Sequence, residues 1–271
     1  LKDLNLGKIV SYPEKYTPSL LQPVARSINR DQINLNNKNL PFTGIDIWNA
    51  YEVSWLTPKN KPQIAILECR VPASSPNIIE SKSFKLYLNS LNQSVFADKT
   101  ELSELLAKDL SKCAQEEVKI QLFSPEQFDA YQVRNVSGVI LDDIDTLFER
   151  SADIQTNALC TENRDVDETL VSHLLKSNCL ITNQPDWGSI VVHYQGKKID
   201  RTGLLKYIVS FRQHNEFHEQ CVERIFVDLM RYCKPDKLTV YARYTRRGGL
   251  DINPFRSNFE RPYPNFRFAR Q

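Results

Sequence analysis

The sequence predicts an α+β protein made of two similar modules in tandem, each an antiparallel sheet with helices on one face. Three observations predict it. Strand-like segments flank a pair of helical segments in each half, an order that suits helices segregated to one side of an antiparallel sheet. The halves align at a constant offset, Ile79 with Ile199, Glu80 with Asp200, Tyr87 with Tyr207 and Ser90 with Ser210. Each pairing is weak, but the shared order makes the pattern a duplication. Finally, 271 residues with 41% hydrophobic and 25% charged side chains form a globular chain, with room for one large domain or two ordinary ones.

The elements follow in order. Residues 45–56 are rich in aromatic and β-branched side chains and predict a strand. Residues 63–71 predict another, with Ala65, Leu67, Cys69 and Val71 on one face and Glu68 and Arg70 on the other. A helix is expected over 83–92. A second starts at Thr100 as N-cap, with Leu102, Leu105, Leu106, Leu110 and Cys113 on one stripe. A strand over 118–123 closes the first half. The second half repeats the order with a strand over 189–194 and a helix over 203–211. Asn215 is the expected cap of the last helix, which buries Cys221, Val222, Ile225, Phe226, Leu229, Met230 and Cys233. Residues 237–243 alternate as a final strand. The sequence turns polar between Asp142 and Glu168, and the expected modules are 1–155 and 156–271.

Lys+Arg number 35 against 33 Asp+Glu, a net charge of +2 that excludes a polybasic nucleic-acid coat and an acidic tail. No apolar run approaches the roughly 18–20 residues of a membrane span, and the stretch 1–16 is too polar for a signal peptide. A soluble, cytoplasmic protein is the expectation. The six cysteines contain no C-x-x-C pair and read as reduced thiols.

Cys69, Cys113, Cys221 and Cys233 fall on apolar stripes and read as small buried hydrophobes. Cys160 precedes a polar stretch with no activating partner. Cys179 opens a turn segment that carries Asp186, a spacing that suits a nucleophile and a proton donor. From spacing alone, packing is the better reading of it. His218 and Glu219 fall in the first turn of the last helix, where a carboxylate also suits the helix dipole. His214, His218 and Cys221 raise a zinc site, but they are placed on different segments and faces, which argues against metal. Glu80, Ser81, Lys82, Ser83 and Lys85 at a helix entrance form a weak phosphate cradle. Arg246-Arg247-Gly248-Gly249 is either a second phosphate contact or an ordinary turn. From Arg243 onward, seven arginines alternate with aromatic rings. That tail is read as packed on its own domain, because the rest of the chain is neutral.

The stretch ESKSFKLY (Glu80 to Tyr87) resembles the signature of the QueF family, NADPH-dependent nitrile reductases that convert 7-cyano-7-deazaguanine to 7-aminomethyl-7-deazaguanine on the route to queuosine in tRNA. NCLITNQPDW, HNEFHEQC and RRGGLDINP agree with the long, two-module form. The resemblance implies two tandem tunnelling-fold (T-fold) modules, each an antiparallel sheet backed by two helices. It implies Cys179 as nucleophile and Asp186 as proton donor. Ile79, Glu80, Ser81, His218 and Glu219 would hold the substrate, and Ser81, Lys82, Arg247 and Gly248 the NADPH. The signature lies in the first half and the Cys–Asp and His-Glu pairs in the second, so one site per chain between the halves is expected. A homodimer without membrane or direct nucleic-acid contact is expected as well.

That chemistry asks for these residue types: thiolate attack turns a poor hydride acceptor into a C=N group that takes hydride readily. The absence of G-x-G-x-x-G means that a dinucleotide would not be held by a Rossmann turn. Two rivals are weighed, a zinc-dependent cyclohydrolase of GTP on the same fold and a non-catalytic binder of purines, pterins or tRNA. Neither explains why the three motifs occur together.

Overall fold

The computed structural model describes residue 13 and residues 15–149 and 153–271. Most of the stretch weighed as a signal peptide, residues 1–12 and 14, lies outside the described residues. The chain runs β1 (Pro23–Ala25), α1 (Arg26–Arg30), β2 (Thr43–Leu56), β3 (Pro62–Pro72), β4 (Asn77–Ile79), α2 (Ser81–Asn89), α3 (Lys99–Ala114), β5 (Lys119–Phe123) and β6 (Val139–Ile140). It continues through β7 (Thr161–Ser172), β8 (Lys176–Asn178), β9 (Pro185–Ile199), α4 (Arg201–Ser210), α5 (His218–Tyr232), β10 (Lys237–Tyr244) and β11 (Leu250–Ser257). The fold is α+β. One sheet takes the order β5-β3-β2-β11-β10-β9-β7-β6, with β8 paired to β9, and all its ladders but β6–β7 are antiparallel. No helix among the described residues is long and apolar enough to cross a membrane.

Helices α2, α3 and α4 start earlier than apolar spacing predicts, because their caps are carboxylates. Asp98, not Thr100, caps α3, its side chain accepting from the N–H groups of Thr100 and Glu101. Glu80 caps α2 in the same way, and Asp200 caps α4. Asn215 does not cap α5; Phe217 holds that position, and Asn215 reaches back to the loop of Cys179. The apolar stripes are otherwise buried as their spacing requires: Leu102, Leu106 and Leu110 pack with Trp48 and Leu67, and Val222, Ile225 and Leu229 with Val192 and Val240.

Six strands among the described residues escaped the pattern reading, and β7 and β11 are the longest of them. The polar stretch after Cys160 is β7, whose outer part forms an exposed ribbon with β9 held by pairs such as Asp165 with Lys197 at 3.0 Å. β11 joins the halves, pairing with β2 from Leu250↔Ala50 to Ser257↔Thr43 and sending Leu250 and Ile252 into the first half's core. The aromatic tail packs on the chain itself: Phe268 is buried with Tyr241 and Phe255, and the Arg243 guanidinium lies 5.8 Å from the Tyr241 ring centre.

α1 supplies what the sequence did not suggest. Arg26 pairs with Asp46 at 2.5 Å and Arg30 with Glu223 of α5 at 2.7 Å, while Arg256 of β11 reaches both acids. All five side chains are buried, and this network locks the first turns of α5 against the first half.

Candidate active site

β8 and β9 form a hairpin in which Ser177 faces Asp186 and Asn178 faces Pro185. Its loop closes through the Cys179 N–H to the Gln184 carbonyl (2.8 Å) and the Asn183 N–H to the Cys179 carbonyl (3.0 Å). Asn183 takes φ 56°, a left-handed conformation that asparagine tolerates. Cys179 and Asp186 therefore belong to one rigid turn. The segment before α5 is stitched to that turn, with Asn178 N–H donating to the His214 carbonyl (2.8 Å) and Glu216 N–H to the Asn178 carbonyl (3.1 Å).

Burial pushes the Cys179 thiol up, but the Thr182 hydroxyl and N–H, the Arg247 side chain and the Ile181 N–H together hold it below the ordinary value. Cys69, Cys113, Cys221 and Cys233 are all pushed up by burial. A depressed thiol next to hydrogen-bond donors is the environment of a reactive cysteine. Asp186 is buried at 4% exposure, with Arg247 Nε 3.2 Å and His218 Nε2 3.6 Å from the same carboxylate oxygen.

Glu80 presents its carboxylate in a fixed pose, since Oε1 accepts from Lys82 N–H (3.0 Å) and Oε2 from Ser83 N–H (2.6 Å). Each oxygen keeps a second lone pair for a ligand donor. Glu219, in the first turn of α5, is raised from the ordinary 4.5 to about 7 by burial and by the Asp46 anion, against the pull of His218 and Arg26. Its folded pKa exceeds its unfolded one, so its stability contribution is full below 4.5 and is lost as pH rises through about 7. Urea unfolding of Glu219→Gln should therefore show the variant gaining on wild type across that window, with no further gain above it. A gap that does not change with pH would mean that Glu219 is ionised throughout.

Arg247 is placed by the tight turn between β10 and β11, closed by Arg247 N–H to the Leu250 carbonyl (2.9 Å) and its reciprocal (3.1 Å). Gly248 and Gly249 take φ of 59° and 80°, the two left-handed positions of the favoured hairpin turn. A Cβ on Gly248 would lie 2.9 Å from Lys85 Cδ, and one on Gly249 2.5 Å from Glu52 Cδ, so the turn sits directly on that lysine and glutamate.

These pieces line one cavity of about 410 Å³, the size of a small-ligand site. Ile79, Glu80, Ser81 and Lys82 come from the first half, and Cys179, Asp186, His218, Glu219, Arg247 and Gly248 from the second. All the site residues named from the sequence meet there. Residues it did not single out as site residues also line it: Trp48 and Phe217 as apolar wall, Thr182 and Gln184 from the reactive loop, and Glu216. Lys85, weighed as part of the cradle, lines it too. The spacing of Thr182 from Cys179 within one short loop was the available signal. Among the described residues no group of three or more His, Cys, Asp or Glu is arranged to hold a metal ion. His214 faces Glu216 and His218 faces Asp186.

The arrangement offers a nucleophilic thiol, a buried carboxyl beside it, acids suited to N–H donors and cations suited to phosphate. Two family models match the chain. One, described as nitrile reductase, 7-cyano-7-deazaguanine-reductase N-term, covers residues 12–122; the other, described as QueF-like protein, covers residues 185–263. The cavity is lined from both matched segments, and Cys179 lies between them.

Proposed function

The chain belongs to the QueF family, the nitrile reductases that act on 7-cyano-7-deazaguanine in queuosine biosynthesis, and from that premise we propose that it reduces this nitrile to 7-aminomethyl-7-deazaguanine with two NADPH through a covalent thioimide on Cys179. The observation that carries the reading is the single cavity in which a depressed cysteine thiol shares a hairpin with a buried carboxyl.

Cys179 adds as thiolate to the nitrile carbon, opening one π bond, and Asp186 gives a proton to the nitrogen. The product is an S–C(=NH) linkage. Arg247 and His218 fix the Asp186 carboxyl for that transfer. Glu80 and Glu219, with His218, accept the N–H groups of the heterocycle, and Ile79 and Ser81 flank its ring. When the carbon has been reduced, the C–S bond breaks and its electron pair returns to sulfur, where the Thr182 and Ile181 donors receive the thiolate.

The residues present fit a dinucleotide phosphate, because Lys82, Lys85 and Arg247 line the cavity and Gly248 leaves open the space that a Cβ would fill against Lys85. Ser81, Lys82, Arg247 and Gly248 would hold NADPH. Each NADPH, when bound, would supply one hydride, so two would be consumed for each nitrile.

The proposal extends to the architecture. Residues 1–155 and 156–271 are read as T-fold modules, and the chain as a cytoplasmic homodimer with no membrane or direct nucleic-acid contact. The common order of two strands, two helices and a closing strand supports the module reading.

Incubating the protein with the nitrile and NADPH should consume two NADPH per nitrile and yield the amine by mass. Folded protein that oxidises no NADPH under those conditions would sink the reading, and zinc content and GTP turnover would be assayed next.

A further inference from the structure

Several buried polar atoms without a hydrogen-bond partner gather around Asp186. Ser177 Oγ lies across the β8–β9 ladder from it. Tyr244, two residues along β9 in register at Gly188, packs its ring 4.0 Å from that of His218, and its hydroxyl finds no oxygen or nitrogen partner. Glu216 is 2% exposed and lines the same cavity; Arg224 directs both its hydrogen bonds to Oε1, leaving Oε2 without a donor. His214 brings Nε2 to 3.1 Å from Glu216 Oε1, and its side chain is 26% exposed. Burial, the Cys221 thiol and the Asp186 and Glu216 carboxyl groups together keep the Tyr244 hydroxyl well above its ordinary value, so it stays a neutral donor.

An orphaned buried acceptor and an orphaned hydroxyl, beside a second hydroxyl whose one neighbour is the Cys221 thiol, cost free energy unless water bridges them. We propose that Ser177, Tyr244 and Glu216 enclose ordered water that returns a proton to Asp186, with His214 as the connection to solvent. The inference rests on the proposed nitrile reduction. Two hydrides added to C≡N require two protons at nitrogen, and Asp186 carries one at a time. Its second proton moves from His214 to Glu216, through water and the Tyr244 hydroxyl, to the Asp186 carboxylate. Solvent then reprotonates His214, and a second pass after the second transfer returns Asp186 to its starting state for the next turnover.

Tyr244→Phe removes one hydroxyl and keeps the ring on His218, and Glu216→Gln keeps the shape beside Arg224. In single-turnover experiments both variants should still form the cysteine adduct with 7-cyano-7-deazaguanine, because Asp186 brings its first proton with it. Amine release on adding NADPH should slow at least about 100-fold, the low side of what a positioned proton donor contributes, with a larger solvent deuterium isotope effect than wild type. A high-resolution crystal structure should place water within hydrogen-bond distance of Ser177 Oγ and Glu216 Oε2. Wild-type amine release in both variants, or no water there, overturns the relay and leaves the nitrile reductase reading standing. Equal slowing of adduct formation and amine release, with a lowered melting temperature, marks a structural role and overturns it too. Wild type that forms no adduct and consumes no NADPH would instead fail the underlying function.

Discussion

Cys179→Ala is expected to gain no mass from 7-cyano-7-deazaguanine in the absence of NADPH, whereas wild type gains the mass of the whole nitrile and loses it again when NADPH is added. Turnover in the variant should fall by at least about 10⁴-fold, the scale seen when an acting nucleophile is removed. The expectation is this strong because the other buried thiols cannot substitute. Cys69, Cys113, Cys221 and Cys233 are pushed up by burial, and only Cys179 among the resolved shifts is drawn down. The substitution removes a side chain at the lip of a hairpin whose closing bonds are backbone to backbone, so the melting temperature should barely move. An undiminished adduct in the variant would reassign the nucleophile, with the exposed Cys160 next in line.

The site was more legible in the sequence than the sheet that holds it. Cys179 and Asp186 are close in sequence because a hairpin loop is short, and His218 and Glu219 adjoin because they begin one helix. β11 could not be read that way. Its stretch LDINPFRS mixes an acid, an amide, an arginine and a proline, yet every residue is buried. Asp251 accepts from Asn49 Nδ2 at 2.7 Å, Asn253 donates to the Ile47 carbonyl at 3.0 Å, and Arg256 reaches Asp46 and Glu223. A local pattern assigns such side chains to the surface, because the partners that satisfy them lie far away in the chain. The helix caps failed for a related reason. Asn215 sits where a cap is expected, but its amide is taken by the Cys179 carbonyl and by Asn183.

The second helix entrance is built like the first but is closed. Asp200 stands where Glu80 stands and caps its helix equally, its Oδ1 accepting from Gly203 N–H at 2.6 Å. A Cβ at Gly203 would lie 2.0 Å from the Ala158 carbonyl oxygen. The turn around residues 156–158 thus covers the start of α4 with backbone, where α2 instead opens onto the cavity through Glu80, Ser81 and Lys82. The backbone over Gly203 and the open Glu80 cap leave the first half to line the cavity with a helix entrance and the second to line it with the thiol.

Glu223→Ala should cost about 3–5 kcal/mol of unfolding free energy, the usual penalty for stripping a buried ion network of one partner. Glu223 accepts from Arg30 Nε (2.8 Å) and Nη2 (2.7 Å) and from Arg256 Nε (3.0 Å) and Nη2 (2.9 Å). Without it, Arg26 and Arg256 keep Asp46 as their one remaining acid, and Arg30 loses its acidic partner in the network. Burial alone would raise the Glu223 carboxyl, but Arg256, Arg30 and Arg26 hold it below the ordinary 4.5. A depressed acid stabilises the fold above its unfolded pKa and loses that contribution as pH falls through the folded one. The gap between wild type and variant in urea unfolding should therefore be full at neutral pH and shrink below about 4.5. Function should suffer with it, because Glu219 lies one turn before Glu223 on α5 and both feel the Arg26 guanidinium. Substrate affinity should thus fall even where the variant remains folded. A variant within about 1 kcal/mol of wild type at neutral pH would show that the arginines find other partners, and that the network does not hold the halves together.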